Sequence, residues 1–241
     1  MSLMHKVLVS LVFAVCVLTG SAAEDSPSVP LQRPDDLGKE QSQEINDDIK
    51  KMNGKIDLVF VGDSITRRWR GDENKAVWDK YWGSYRAVNM GIGGDATQNV
   101  LWRLEHGQLD GYKARVFVVM IGTNNCWGEH AVPADVAAGV KKILDLIKSK
   151  QPQAKILLLS IFPVGEKPNP GRKTRETING LISKFSGGPV QYMDIAAKFM
   201  EPDGTISKEV MPDELHLSAK GYEIWSAAIK DKVKELMGTV P

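Results

Sequence analysis

Four short stretches carry residue types that can do chemistry. Gly62-Asp63-Ser64-Ile65 places a serine directly after the apolar run Leu58-Val59-Phe60-Val61. A serine hydroxyl is a weak nucleophile until a neighbouring base takes its proton, and at a strand–helix junction its ordinary role is to cap the helix. Asn89-Met90-Gly91-Ile92-Gly93-Gly94-Asp95 is a glycine-rich loop, where the backbone can approach a substrate and leave amide hydrogens free. It lacks the lysine of a phosphate-binding loop and the third glycine of GxGxxG, and standing alone it reads as a tight turn. In Gly122-Thr123-Asn124-Asn125 an asparagine can donate an N–H to a developing oxyanion, a contact worth about 100- to 1000-fold in rate. Asparagine is equally a turn former. Asp213-Glu214-Leu215-His216 puts a carboxylate three residues before an imidazole, within reach on one loop, where it can fix the ring tautomer. Of the remaining histidines, His5 lies in an apolar leader, and His106 and His130 read as surface residues. Metal binding by Asp213 and His216 lacks a His/Cys cluster to complete the ligand set. Each stretch has a structural explanation by itself. Together they supply a nucleophile, a base, an orienting acid and oxyanion donors.

These groups must be positioned by the elements between them. Glu40 to Met52 has Ile45, Ile49 and Met52 at helical spacing, a lead-in helix ended by Asn53 and Gly54. Leu58 to Val61, Tyr85 to Met90, Val116 to Ile121, Ile156 to Ile161 and Val190 to Ile195 read as strands. Between and after them, helical patterns include Ala76, Val77, Tyr81 and Trp82 as an inward face, then Thr97 to His106, Pro133 to Lys150, Arg172 to Phe185 and Ala219 to Met237. Strand and helix alternate, and two strands are apolar on both faces. The expected architecture is therefore α/β, a parallel sheet with helices on both sides. Ligands of such open sheets bind beyond the carboxyl ends of the strands, where the chemical stretches fall.

The 241 residues, 42% hydrophobic, are enough for a sizeable core in one domain. Met1 to Lys6, the apolar run Val7 to Leu18 and the small residues Thr19 to Ala23 read as a secretory signal peptide over residues 1–23. The run is shorter than the roughly 20 residues of a membrane span, so no stable membrane insertion is expected after cleavage. Cys16 inside that run is a poor lipidation site. Residues 24–54 are expected as a proline-rich linker and lead-in helix, and 55–241 as the catalytic domain. Removing Lys6 with the leader leaves acidic and basic side chains in balance, which gives no reason to expect a nucleic-acid partner. Cys126 is then the single cysteine, expected as a small buried residue, and no intrachain disulfide can form.

The four stretches, in this order, resemble the blocks of the SGNH (GDSL) hydrolase superfamily, with Ile65 where the name has leucine. Asn89 to Asp95, Val100 to Glu105, Gly122 to Asn125, Pro168-Asn169-Pro170 and Asp203 to Ser207 are similar to the catalytic subunits of intracellular platelet-activating-factor acetylhydrolase and their secreted bacterial relatives. The resemblance implies a flavodoxin-like three-layer sandwich on a five-stranded parallel sheet. It implies Ser64 as nucleophile, His216 as base, Asp213 as its orienting acid, and an oxyanion hole from the Ser64 and Gly94 amides and the Asn124 side chain. It also points to a homodimer. The export signal departs from the cytosolic subunits and matches bacterial relatives that act on acetylated sugars.

The expectation is thus a secreted esterase, periplasmic or extracellular, that cleaves short-chain, chiefly acetyl, esters of a small molecule or glycan without metal or cofactor. A lysophospholipase or thioesterase acting on longer acyl chains and a catalytically silent glycan-binding protein are the alternatives. Ile65, Asp95, Thr123, Asn125, Trp127 and Leu215 are candidate pocket-lining residues; Asp63 and Asp95 are expected to brace their loops. Trp69, Trp78, Trp82, Trp102 and Trp225 are expected in the core or at its rim, and Arg67 and Arg68 toward solvent. Because His216 must start neutral, activity is expected to fall below about pH 6.5, the unperturbed histidine value.

Overall fold

The structure, a computed structural model, describes residues 26–127 and 131–238. The expected signal peptide, with Cys16 and His5, lies outside the described residues, as does His130. Five strands, β1 (Leu58–Gly62), β2 (Ala87–Gly91), β3 (Val116–Met120), β4 (Lys155–Leu159) and β5 (Val190–Met193), form one sheet in the order β2-β1-β3-β4-β5. All neighbouring pairs are parallel. Among the described residues, seven α-helices surround it: α1 (Asp36–Lys51), α2 (Ser64–Arg67), α3 (Asp72–Trp82), α4 (Thr97–Arg103), α5 (Pro133–Lys150), α6 (Pro170–Ile182) and α7 (Ala219–Met237).

Side chains alternate across a strand, so each strand feeds two cores. Val59, Val61, Phe117, Val119, Ile156 and Leu158 join Ile45 of α1 and the apolar faces of α4, α5 and α6. Leu58, Phe60, Val116, Val118, Leu157 and Leu159 join Trp69, Trp82 of α3, and Tyr222, Trp225, Ile229 and Val233 of α7. Burial on both faces explains why these strands read as unbroken apolar runs. The strand order reverses between β1 and β3, and the crevice at their carboxyl ends is the position such sheets use for ligands.

Several boundaries differ from the sequence expectation, for local reasons. β2 begins at Ala87 because the Tyr85 amide closes a turn on Trp82 O. The helix expected to His106 ends at Arg103 and widens into a turn over Leu104–Gln108, where Gly107 takes a φ of 105°. α6 starts at Pro170 under the Asn169 cap and gives way after Ile182 to a 3-10 turn, Ser183–Phe185. Ala76, expected inward, is exposed, since Trp82 and the half-buried Val77 and Tyr81 already cover that side of the core. The part of the expected linker that is described, residues 26–35, lies against the domain. Thr97 Oγ1 donates to Pro27 O at 2.7 Å, Leu31 N to Gln98 O at 3.0 Å, and Asn99 Nδ2 to Leu31 O at 3.0 Å.

Candidate active site

β1 delivers the chain to Ser64 through Gly62 and Asp63. The buried Asp63 carboxylate caps α2, its Oδ1 accepting from the Ile65 amide at 2.9 Å. Burial pushes its pKa up to about 7. The helix is seated from both sides. At Gly91 an added Cβ would lie 2.2 Å from the Arg67 amide nitrogen, so only glycine lets β2 approach α2 this closely. From α7, the Tyr222 hydroxyl donates to Ile65 O at 2.5 Å. Ser64 occupies the first position of α2, where backbone N–H groups have no intrahelical acceptor.

The loop before α7 brings His216 to Ser64. The imidazole Nε2 lies 2.9 Å from Ser64 Oγ, and Nδ1 lies 2.7 Å from Asp213 Oδ2. With a carboxylate at Nδ1, the ring keeps its proton there and offers the Nε2 lone pair to the serine hydroxyl. Burial raises the Asp213 carboxyl, but hydrogen bonds from the His216 amide and ring, and from the Leu215 amide, outweigh it and hold it below the usual value. Arg68 Nη1 stands 3.5 Å from the same Oδ2. Glu214, at a left-handed φ of 63°, is held by the neighbouring loop, whose Gly165 amide donates to Glu214 O at 2.7 Å. The buried Arg172 guanidinium fastens that loop by donating to the carbonyls of Val164, Gly165 and Gly204.

The loops after β2 and β3 leave the strands that flank β1 on either side. Gly94 has a φ of 78°, and among the described residues its amide has no acceptor. Asn124 Nδ2 donates to Asp95 O at 2.8 Å, which commits one of its two N–H groups and leaves the second free. The Asp95 carboxylate is fully buried, 2.8 Å from Arg103 Nε and 3.4 Å from Arg33 Nη1. Burial pushes that carboxyl up against the pull of both guanidiniums. Arg103 also donates to Gly62 O at 3.2 Å and Met90 O at 2.7 Å, tying together the carboxyl ends of β1 and β2.

The other candidate residues divide by exposure. Ile65 and Thr123 are buried, and Leu215 is half-buried against the α7-side core. Asp95 turns its carboxylate inward, as a brace. Asn125 accepts from the Thr97 amide at 3.0 Å and donates to Gln98. Trp127 is 53% exposed, with the Arg175 guanidinium 4.9 Å from its ring centroid. Trp69, Trp82 and Trp225 are core residues, and Trp78 and Trp102 are half-buried. Arg68 is exposed, and Arg67 is half-buried and paired with Glu44. Cys126 is buried and donates to Gly122 O at 3.1 Å. Among the described residues no group of His, Cys, Asp and Glu could hold a metal ion, and no helix is long and apolar enough to cross a membrane.

Sequence reading missed Arg33, Arg103, Arg172 and Glu214, and Gln41, whose Oε1 accepts from the Gly93 amide at 2.8 Å. The one signal available was the density of arginines among apolar helix residues, as in Trp102-Arg103-Leu104, where a buried cation must have partners.

Comparison with known proteins places the chain among relatives of one family. The GDSL-like lipase/acylhydrolase family matches residues 60–224. The platelet-activating factor acetylhydrolase IB subunit alpha2 of Rattus norvegicus is 39% identical over 187 residues, 77% of this chain and 79% of that protein. Among solved structures, a GDSL-like lipase from Bacteroides thetaiotaomicron superposes with a TM-score of 0.64 at 18% identity, covering 82% of this chain and 97% of its own. An acetyl xylan esterase from Geobacillus stearothermophilus gives 0.60 at 21% identity, covering 78% and 99%. At these identities the two structures speak for the fold.

Proposed function

Since the chain belongs to the GDSL-like lipase/acylhydrolase family and is a carboxylic ester hydrolase, we propose that it cleaves acetyl and other short acyl esters through Ser64, His216 and Asp213, with an O-acetylated carbohydrate as the substrate class. The supporting observation is the continuous relay from Ser64 Oγ to His216 Nε2, 2.9 Å, and from His216 Nδ1 to Asp213 Oδ2, 2.7 Å. The acetyl preference rests on the acetyl esters named for the relatives.

In this reading His216 takes the Ser64 proton as Oγ attacks the ester carbonyl. The carbonyl oxygen becomes an oxyanion, held by the amides of Ser64 and Gly94 and the free N–H of Asn124. Asp213 stabilises the imidazolium and keeps its orientation. His216 then protonates the departing alcohol, leaving an acyl-serine. Water, deprotonated by the same imidazole, attacks the acyl carbon, and the acid leaves as Oγ regains a proton.

The test is Ser64→Ala with p-nitrophenyl esters and a fluorophosphonate probe. Turnover and labelling are both expected to vanish while the far-ultraviolet circular dichroism stays that of the parent. Labelling that persists in Ser64→Ala would reject the nucleophile. In the parent, octanoate preferred over acetate would replace the short-acyl reading with a long-acyl one, and acetate release confined to lipid substrates would replace the carbohydrate class.

A further inference from the structure

Resting on that reading, we propose that Arg33, from the segment before the matched family region, is a positioning residue for the oxyanion hole. Its Nη1 donates to Gly93 O at 2.8 Å. Gly93 O and the Gly94 N–H are opposite ends of one peptide group, and that group is planar. Fixing the oxygen therefore fixes the direction of the N–H assigned to the oxyanion. The same guanidinium is anchored by Asp35 Oδ2 at 2.6 Å and stands 3.4 Å from Asp95 Oδ1.

The peptide needs such a hold. It lies between two glycines, and Gly94 is already at a φ of 78°, so side chains on the peptide itself offer no resistance to a flip. A flip would turn the N–H away from the place assigned to the oxyanion and present a carbonyl oxygen there instead. Gln41 of α1 secures the preceding peptide, its Oε1 accepting from the Gly93 amide at 2.8 Å. A cation on the carbonyl oxygen also polarises the peptide and makes its far N–H a stronger donor, the cooperativity of hydrogen-bond chains. Arg33 thus acts on the reaction without touching substrate, and it lies outside residues 60–224 that the family model covers.

The experiment compares the full-length parent with Arg33→Gln and Arg33→Lys, read by steady-state kinetics on p-nitrophenyl acetate and by the stoichiometry and rate of fluorophosphonate labelling. Loss of an oxyanion donor costs about 100- to 1000-fold in kcat. A misoriented donor is expected to cost Arg33→Gln about 10- to 100-fold in kcat, with KM within about twofold. Labelling should reach full stoichiometry at a rate reduced in parallel, because the nucleophile and its base are intact. Arg33→Lys, which keeps a cationic donor, should recover part of the loss. Reduced stoichiometry with an unchanged rate in the labelled fraction would mean a merely structural role and overturn the proposal, as would kcat and labelling rate within twofold of the parent. Should Arg33→Gln not fold, Arg33→Lys and Gln41→Ala carry the same readouts. Ser64→Ala and Asn124→Ala test the underlying catalytic reading without Arg33, so a failure there is told apart from a failure here.

Discussion

Asp213 holds His216 at two points: Oδ2 meets the ring Nδ1 at 2.7 Å, and Oδ1 accepts from the backbone amide of the same residue, also at 2.7 Å. One carboxylate therefore sets both the tautomer and the place of the imidazole on its loop. Asp213→Asn keeps the size but lets the amide favour the wrong tautomer. In proteases of this chemistry that change costs about 10⁴ in kcat, and a fall of about 10³- to 10⁴-fold is expected here. Initial rates on p-nitrophenyl acetate check it; a loss under tenfold would contradict the orienting role.

Asn124→Ala should lower kcat by about 100- to 1000-fold with little change in KM, because in the proposed mechanism the lost N–H is used in the transition state. The substitution also cuts the tie to Asp95 O, so the melting temperature is to be measured with the rate. A KM rise at constant kcat would assign Asn124 to substrate binding.

Asp63 gives a pH signature. Its pKa is raised from 3.8 to about 7 by burial, so the folded state holds a proton that the unfolded chain has lost in that interval. Its contribution to stability is complete below about pH 4 and declines as pH rises through about 7, with an upper bound of about 4 kcal/mol. Asp63→Asn keeps an acceptor for the Ile65 amide and removes the titration. Urea midpoints measured from pH 4 to 8 should fall less steeply in the variant than in the parent; equal slopes would refute the assignment.

Arg103 is 3% exposed and bonded to Asp95, Gln108, Gly62 O and Met90 O. Arg103→Ala leaves the buried Asp95 carboxylate with Arg33 alone and takes one donor from each of two strand-end carbonyls, and should cost about 3–5 kcal/mol by urea denaturation. A loss below about 1 kcal/mol would show that the loop after β2 is held by other contacts.

The fold was legible where burial imposes a pattern. β3 and Ile156 to Leu159 of β4 sit between two cores, so neither face tolerates a polar side chain there, and α7 shows its apolar stripe from Ala219 to Met237 with a capping serine before it. The candidate site was legible because strand ends carry glycine, serine and asparagine where the chain must turn and expose its backbone. Arg33 was not. It lies in an aperiodic, proline-rich stretch, and its acceptor is 60 residues away, so nothing local separates it from a solvent charge. The end of α4 was hidden for a similar reason, since Gly107 accepts both helix and turn.

The helix that begins at Ser64 rests on an aromatic cluster. Tyr222 holds Ile65 O and packs with its ring centroid 4.2 Å from that of Trp69, which in turn lies 5.3 Å from Trp225. Indole emission is sensitive to small changes in packing, so the proposed nucleophile stands on a built-in fluorophore. Stopped-flow fluorescence can therefore follow formation and breakdown of the proposed acyl-serine with unlabelled natural esters, free of the chromogenic leaving group that colours every conventional assay.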